Sequence, residues 1–301
     1  MKNIVFFNYA HRGDVFLSRP FVDQIMEEMK DLKINFFYSH YWGEYLLKDL
    51  NLQFISLDQI PKVQAQNEHA SNFIHGETVY INTWIGKYFS HSKPRYGQCN
   101  LQSLYDLMYF EIFDFISKVF EINIQLKNIL NYFPSLNYSS FDIENVDNFI
   151  KIEKRKKILF CNGPGLSGQC DYDGDMLEII EDISEKYNDL CLITTHKINT
   201  EIENVKYTGD IIKSNSSDLN EISYFSTFCD IIVGRSSGPF TFSNTKNNIF
   251  DKSKHFLCFG KRETDCLPYE LDIDCQFIFQ KFNKEDLLED LTSTIIELIE
   301  Q

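Results

Sequence analysis

Three stretches of the sequence hold residues that could do chemistry. The first is NYAHRGDVFLSRPF (8–21), which sets His11, Arg12, Gly13 and Asp14 in a row directly after an apolar run at 4–7. An aspartate or histidine held at a strand end can take a proton from an attacking hydroxyl. An arginine beside the carboxylate keeps it ionised and makes it a weaker base. The second is NGPGLSGQCDYDGD (162–175), in which Gly163, Gly165 and Gly168 spell G-x-G-x-x-G between a strand and a helix. That is the context of a dinucleotide fingerprint. However, the next strand ends LITTH, with no acidic residue to hold a ribose. Asp171, Asp173 and Asp175 also crowd the helix start, where they complement its dipole and repel a pyrophosphate. A plain glycine-rich loop facing a cleft is the better reading than NAD binding. DYDGD has its glycine too early for an EF-hand calcium loop and fits helix capping. The third stretch is CDIIVGRSSGPFTFS (229–243), a buried strand ending at Gly234, then a polar turn of Arg235, Ser236, Ser237 and Gly238. Small residues let a backbone approach a ligand, and N–H groups at a following helix start can bind phosphate. Arg235 adds a planar donor fork suited to pyrophosphate. An ordinary strand–helix turn reads this stretch equally well.

The elements that must position these residues alternate. Short apolar runs at 4–7, 34–38, 53–57 and 78–82 read as buried parallel strands. Residues 16–30 repeat apolar side chains at helical spacing, and another helix starts near Trp42. Residues 101–132 read as a helix buried on most sides, with a polar stripe of Glu111, Asp114, Lys118 and Glu121. The charge run KIEKRKK (151–157) reads as solvated linker, so the expected domains are 1–150 and 151–301. The second half repeats the plan, with strands at 158–161, 190–195, 230–233 and 255–259. Helices are expected near 176–187, 218–228 and 283–299. Strand–helix alternation predicts an α/β chain of two Rossmann-like domains with mainly parallel sheets, their C-terminal strand ends facing a central cleft.

Composition narrows the function. The chain has 301 residues, 43% of them apolar, enough for two real cores. Its 44 acidic and 29 basic residues give a net charge of −15. Such a field repels nucleic acid and anionic lipid at long range, so no nucleic-acid partner is expected, while a local basic pocket for a small anion is allowed. The eight cysteines form no C-x-x-C pair. Cys161, Cys191, Cys229 and Cys258 sit in or beside strand-like runs and read as reduced core residues of a cytoplasmic protein. Neither a signal peptide nor a membrane-spanning stretch is recognised.

Read together, residues 207–242 (YTGDIIKSNSSDLNEISYFSTFCDIIVGRSSGPFTF) resemble the C-terminal domain of glycosyltransferase family 9, the ADP-heptose:lipopolysaccharide heptosyltransferases. Thr208 and Gly209 match the start of that family's pattern, and Leu219, Glu221 and Ile222 match its helix. Asp230, Gly234, Ser237, Gly238 and Pro239 follow at the family's spacing. KHFLCFGKRETDCLPYE (254–270) is similar to its strand ending in Phe-Gly with Pro-Tyr beyond. In HRGDVFLSRPF, Gly13, Asp14 and Pro20 follow the order of the family's first loop. Where the family carries Asp-Thr-Gly this chain has Ser236-Ser237-Gly238, and Thr241 stands at the family's histidine.

The resemblance implies a GT-B fold and an inverting, metal-independent glycosyltransferase of the hexosyl- or heptosyl-transferase class, with no cofactor. It would take a nucleotide-sugar donor and a surface glycan or glycolipid acceptor, of lipopolysaccharide-core or capsule type, touching a membrane only through that acceptor. The family's base falls on Asp14, with His11 the alternative catalytic group and Arg12 assigned to the acceptor. The donor falls on Arg235, Ser236, Ser237, Gly238 and Thr241, together with Gly163 and Gly165. Three other readings remain open. One is a sugar-nucleotide epimerase or hydrolase on the same fold, using His196 or Glu263. Another is a catalytically silent glycan- or nucleotide-binding module. The third is an oxidoreductase, which rests on the 163–168 glycines alone.

Overall fold

The computed structural model describes residues 1–61, 71–84, 104–124, 133–164, 170, 172, 174–213, 217–261, 263, 266, 273–281 and 287–301. The chain divides into two units, Met1–Leu136 and Asn137–Leu267 with Asp272–Gln301. Of the residues singled out above, Gly165, Gly168, Asp171 and Asp173 lie outside the described set.

The first unit opens with β1 (Asn3–Phe7), α1 (Arg12–Glu28), β2 (Asn35–Ser39), α2 (Gly43–Leu46) and β3 (Gln53–Ile55). A hairpin of β4 (Phe73–His75) and β5 (Thr78–Asn82) follows, then α3 (Leu104–Phe120). The sheet order is β3-β2-β1-β5-β4, parallel except for β4. In β1, Ile4, Val5, Phe6 and Phe7 are all buried, as a central strand covered on both faces requires. Gly76 sits in the two-residue hairpin turn at φ 60°, in the left-handed region that suits glycine. Helix α1 starts earlier than apolar spacing predicts. The polar cluster 11–14 is its first turn and not a loop, and Pro20 lies inside the helix and not before it.

The second unit runs α4 (Glu144–Ile152), β6 (Lys156–Cys161), α5 (Leu177–Lys186), β7 (Leu190–Thr194) and β8 (Val205–Tyr207). Next come α6 (Thr208–Ile212), α7 (Leu219–Ser226), β9 (Ile231–Arg235), α8 (Gly238–Ser243) and α9 (Lys246–Ile249). Then β10 (His255–Gly260), β11 (Gln276–Lys281) and α10 (Leu287–Glu300) complete it. Its six strands are ordered β11-β10-β9-β6-β7-β8, every pair parallel. Read from β8, this is the Rossmann order, and it reverses direction between β6 and β9. Ile158, Phe160, Ile231 and Val233 of the sheet pack with Ile179 and Ile183 of α5 and Leu291 and Ile295 of α10. Each such side chain contributes about 1.5–3 kcal/mol on full burial.

Three expectations are corrected here. KIEKRKK is not solvated linker: it ends α4 and begins β6, and Lys157 is buried with its Nζ donating to the Arg155 carbonyl at 2.8 Å. Strand β9 continues through Arg235, so the polar turn begins at Ser236. Cys258 is not a free thiol but is disulfide-bonded to Cys266, eight residues on. Cys161, Cys191 and Cys229 are buried free thiols. Burial pushes Cys191 up to about 11 and Cys229 up to about 12, so both behave as inert packing groups. Among the described residues no helix is long and apolar enough to cross a membrane.

Candidate functional site

In an open parallel sheet, ligands bind outside the carboxyl ends of the strands, where the strand order reverses. In the second unit that point is the ends of β6 and β9, where Cys161 pairs with Gly234. The strands approach closely because Gly234 has no side chain: a Cβ there would stand 2.6 Å from the Cys161 Cβ. Arg235 follows, fully buried. Its Nε donates to the Gly163 carbonyl at 2.8 Å, and its Nη2 donates to the Asn162 and Gly174 carbonyls at 3.3 and 3.2 Å. Further bonds reach the Tyr172 and Gly163 carbonyls, and the guanidinium lies 5.7 Å from the Tyr172 ring centroid. The guanidinium fork therefore holds the main chain of the glycine-rich loop against the end of β9. Asn162 ties the same loop to the end of β7. Its Nδ2 donates to the Asp175 and His196 carbonyls at 3.1 and 3.0 Å, and its Oδ1 accepts from the His196 N–H at 2.8 Å.

Ser236, Ser237, Gly238 and Thr241 are half-buried on the rim of this point. Ser237 precedes α8 and its main-chain carbonyl accepts from the Thr241 N–H at 2.9 Å. The Ser237 Oγ is buried with no hydrogen-bond partner, as is the Thr208 Oγ1 at the start of α6. A buried hydroxyl left unpaired costs about 1–3 kcal/mol, so each such oxygen calls for an explanation. His196 is exposed next to Gly163, and Glu263 is exposed elsewhere in the unit.

In the first unit the sheet order reverses between β1 and β5. Buried polar groups close that end. Asn8 Nδ2 donates to Thr83 Oγ1 at 3.3 Å, and the Tyr38 hydroxyl is bonded to Thr83 Oγ1 and Ser18 Oγ, both at 2.9 Å. Burial pushes the Tyr38 phenol up to about 12, so it stays a neutral bridging hydroxyl. Above this network the Asn8 side chain accepts from the Ala10 N–H at 2.8 Å and turns the chain into α1. Asp14 then accepts from the His11 N–H at 3.2 Å, the carboxylate half of a capping box. His11 is exposed, and Arg12 and Asp14 are half-buried. The Arg12 guanidinium lies over the Trp42 ring, 4.1 Å from its centroid.

The structure thus gathers His11, Arg12 and Asp14 on one helical turn, and brings Gly163, just after β6, against Arg235 at the end of the neighbouring β9, with Ser236 to Thr241 following it. Asn162, Tyr172 and Trp42 escape a reading of the sequence. Asn162 bonds main-chain groups 13 and 34 residues away, Tyr172 meets the Arg235 guanidinium 63 residues away, and Trp42 meets Arg12 only because β1 and β2 are neighbours.

No protein-family model matches the chain, and no curated protein matches it. Solved structures do. The glycosyl transferase family 9 structure from Veillonella parvula DSM 2008 superposes with a TM-score of 0.52 at 11% identity, over 99% of this chain and 96% of that one. The E. coli heptosyltransferase WaaC with ADP-2-deoxy-2-fluoro heptose gives 0.55 at 8% identity, over 98% of this chain and 99% of that one. WaaC with ADP gives 0.53 at 8% identity, over 99% and 98%. Two mainly parallel sheets, each with its polar groups at the carboxyl edge, agree with that likeness: the chain has the GT-B fold, the fold of the family 9 glycosyltransferases.

Proposed function

We propose that the chain is an inverting, metal-independent glycosyltransferase, which moves a sugar from a nucleotide-sugar donor to a surface glycan of lipopolysaccharide-core or capsule type in the cytoplasm. The observation that carries this reading is the strand end built around Arg235. A loop of small residues is held in place there beside a buried, unpartnered Ser237 hydroxyl. A site of that kind suits a nucleotide diphosphate, and one structure of the same fold is of a heptosyltransferase with an ADP-sugar analogue.

In the proposed reaction the donor lies on Ser236, Ser237, Gly238 and Thr241, with Gly163 and Arg235 forming the floor. Asp14 takes the proton from the acceptor hydroxyl as its oxygen attacks the anomeric carbon. The bond from that carbon to the phosphate oxygen breaks on the opposite face, and the nucleoside diphosphate leaves with the electron pair. Main-chain N–H groups of the 236–238 turn stabilise the developing charge. Arg12 holds the acceptor.

Thermal shifts with UDP, GDP, ADP, CMP and NAD test the donor site. A nucleotide at 100 times its dissociation constant should add roughly 2.7 kcal/mol. A response to NAD alone would favour the oxidoreductase reading. Asp14→Asn keeps an oxygen to accept from the His11 N–H and loses the basicity. It should bind donor normally and transfer about 10²–10⁴-fold more slowly. Full transfer by Asp14→Asn would remove it as the base and pass the role to His11.

A further inference from the structure

Cys258 and Cys266 are joined by a disulfide across eight residues, with their Cα atoms 6.4 Å apart. Cys161, Cys170, Cys191, Cys229 and Cys275 are buried free thiols. Burial pushes the Cys161 thiol up, and that of Cys275 up to about 12, so they are poor partners for exchange. In the proposed compartment, the cytoplasm, glutathione keeps thiols reduced, and the disulfides that do form there are mostly transient and redox-sensing or catalytic.

The placement of this pair points to the donor turn. Cys258 lies on β10, fully buried and opposite Gly234 of β9, and Phe259 beside it is opposite Arg235. Strand β10 is paired on its other side with β11, so this end of the bridge is fixed in the sheet. Cys266 is held by less. Its N–H donates to the Glu263 carbonyl at 2.8 Å, three residues back, and its carbonyl accepts from Asn244 Nδ2 at 3.0 Å. Asn244 is buried at the end of α8, where its N–H donates to the Thr241 carbonyl at 3.1 Å. Its Oδ1 is buried with no hydrogen-bond partner, so the bond to Cys266 is what offsets burial of this amide. Helix α8 begins at Gly238, in the proposed donor turn, and its six residues span about 9 Å. The disulfide thus braces α8 from its far end, through Cys266 and Asn244, against the sheet.

We propose that Cys258 and Cys266 form a thiol–disulfide switch that sets the order of α8 and, through it, the nucleotide affinity of the 236–238 turn. Oxidation braces the turn and reduction releases it. The nucleotide half of this assignment rests on the glycosyltransferase reading above. The co-reactant is a small disulfide of the glutathione class. The Cys266 thiolate attacks one sulfur of that disulfide, a mixed disulfide forms and the first glutathione thiol leaves. The Cys258 thiolate then attacks the Cys266 sulfur and expels the second. Two electrons and two protons pass from the pair to glutathione disulfide, and glutathione runs the steps in reverse. Cys266 is the point of entry, because two main-chain hydrogen bonds restrain it while a strand paired on both sides restrains Cys258. A turn braced before the ligand arrives loses less freedom on binding, which is the source of the difference in affinity.

The native chain is equilibrated in mixtures of glutathione and glutathione disulfide, alkylated with iodoacetamide in denaturant and read by peptide mass spectrometry. Cys258 and Cys266 should change state together, while Cys161, Cys191, Cys229 and Cys275 stay reduced. Amide exchange of 238–244 should be about tenfold faster in the reduced form, an ordinary coupling between two sites. Whichever of UDP, GDP, ADP and CMP gives the largest thermal shift with the oxidised chain should bind the reduced chain about tenfold more weakly. At saturation it should raise the ratio of oxidised to reduced protein by the same factor. Cys266→Ser should match the reduced chain in every mixture, and Asn244→Ala should exchange alike in both states. The assignment is overturned if the pair keeps one state across the mixtures, or if 238–244 exchanges equally in both forms. It is also overturned if a nucleotide that binds does so equally to both forms, or if Asn244→Ala keeps the native difference. Faster exchange on reduction, in protein that binds none of the nucleotides in either form, supports the switch and removes the donor reading instead.

Discussion

Gly234 shows how much one residue decides at the proposed donor site. A Cβ there would stand 2.6 Å from the Cys161 Cβ, 3.1 Å from Phe240 Cδ2 and 3.2 Å from the Cys161 carbonyl oxygen, which is backbone and cannot turn aside. Gly234→Ala must push β9 away from β6, and overpacking of this kind costs about 1–3 kcal/mol. We expect a lower urea midpoint and weaker nucleotide binding in that variant; an unchanged midpoint would show that the strands give way freely. Gly238 contrasts with it. Its nearest neighbour would be Leu219 Cδ2 at 3.3 Å, the far end of a side chain, so the fold tolerates alanine there and only a bulky residue should block a ligand. Arg235 follows the rule that a buried cation must be paired or fully bonded, and main-chain carbonyls supply the bonds.

At the scale of elements, α1 and the 40–45 turn are held by side chains whose protonation matters. Burial lowers the pKa of His40; the charges of Arg12 and His11 act in the same direction, while its bond to the Ala10 carbonyl opposes them. The unfolded chain binds a proton at His40 near pH 6.5, the folded one only at lower pH. The stability from this group is complete above about pH 6.5 and is lost as pH falls through the lowered folded value. Protonating Nδ1 also breaks the bond from the Trp42 N–H. The urea midpoint of the native chain should fall as pH drops below about 6.5, and His40→Gln should flatten that fall. Parallel profiles for the two proteins would exclude His40 as a source. Helix α1 is secured independently, since Arg19 and Asp49 are both buried and paired through two bonds of 3.0 and 2.5 Å.

For the whole molecule, the division into two units, each with its own mainly parallel sheet and its own strand-order reversal, fits the proposed transferase reading. One carries the proposed base Asp14 and the proposed acceptor residue Arg12, and the other the proposed donor loop; the proposed transfer needs the two substrates brought together. A saturating nucleotide should slow amide hydrogen exchange at the ends of β6 and β9 and in the 236–243 segment, with no comparable change in β1 or β5. Protection confined to the first unit would place the nucleotide on the wrong sheet for this mechanism.

What can be read from a single chain is set by local physics. The strands β1, β5, β6, β7, β9 and β10 are legible because central parallel strands need unbroken apolar runs. Helix α10 is legible because its buried Leu291, Ile295 and Leu298 recur at helical spacing. The three-residue strands β4 and β8 are too short to show a period. The first turn of α1 is masked by its polar capping residues, which are also what chemistry would select. The glycine and polar residues of the candidate sites can be found by type and spacing, but their roles cannot. The guanidinium of Arg235 matches a phosphate on paper, and its bonding is settled by carbonyls 61 to 73 residues away in the chain. The stacking of Arg12 on Trp42 and the pairing of Cys258 with Cys266 likewise belong to the tertiary structure. Sequence records which groups a residue can bond to, and only the order of strands in the sheet decides which of them come within reach.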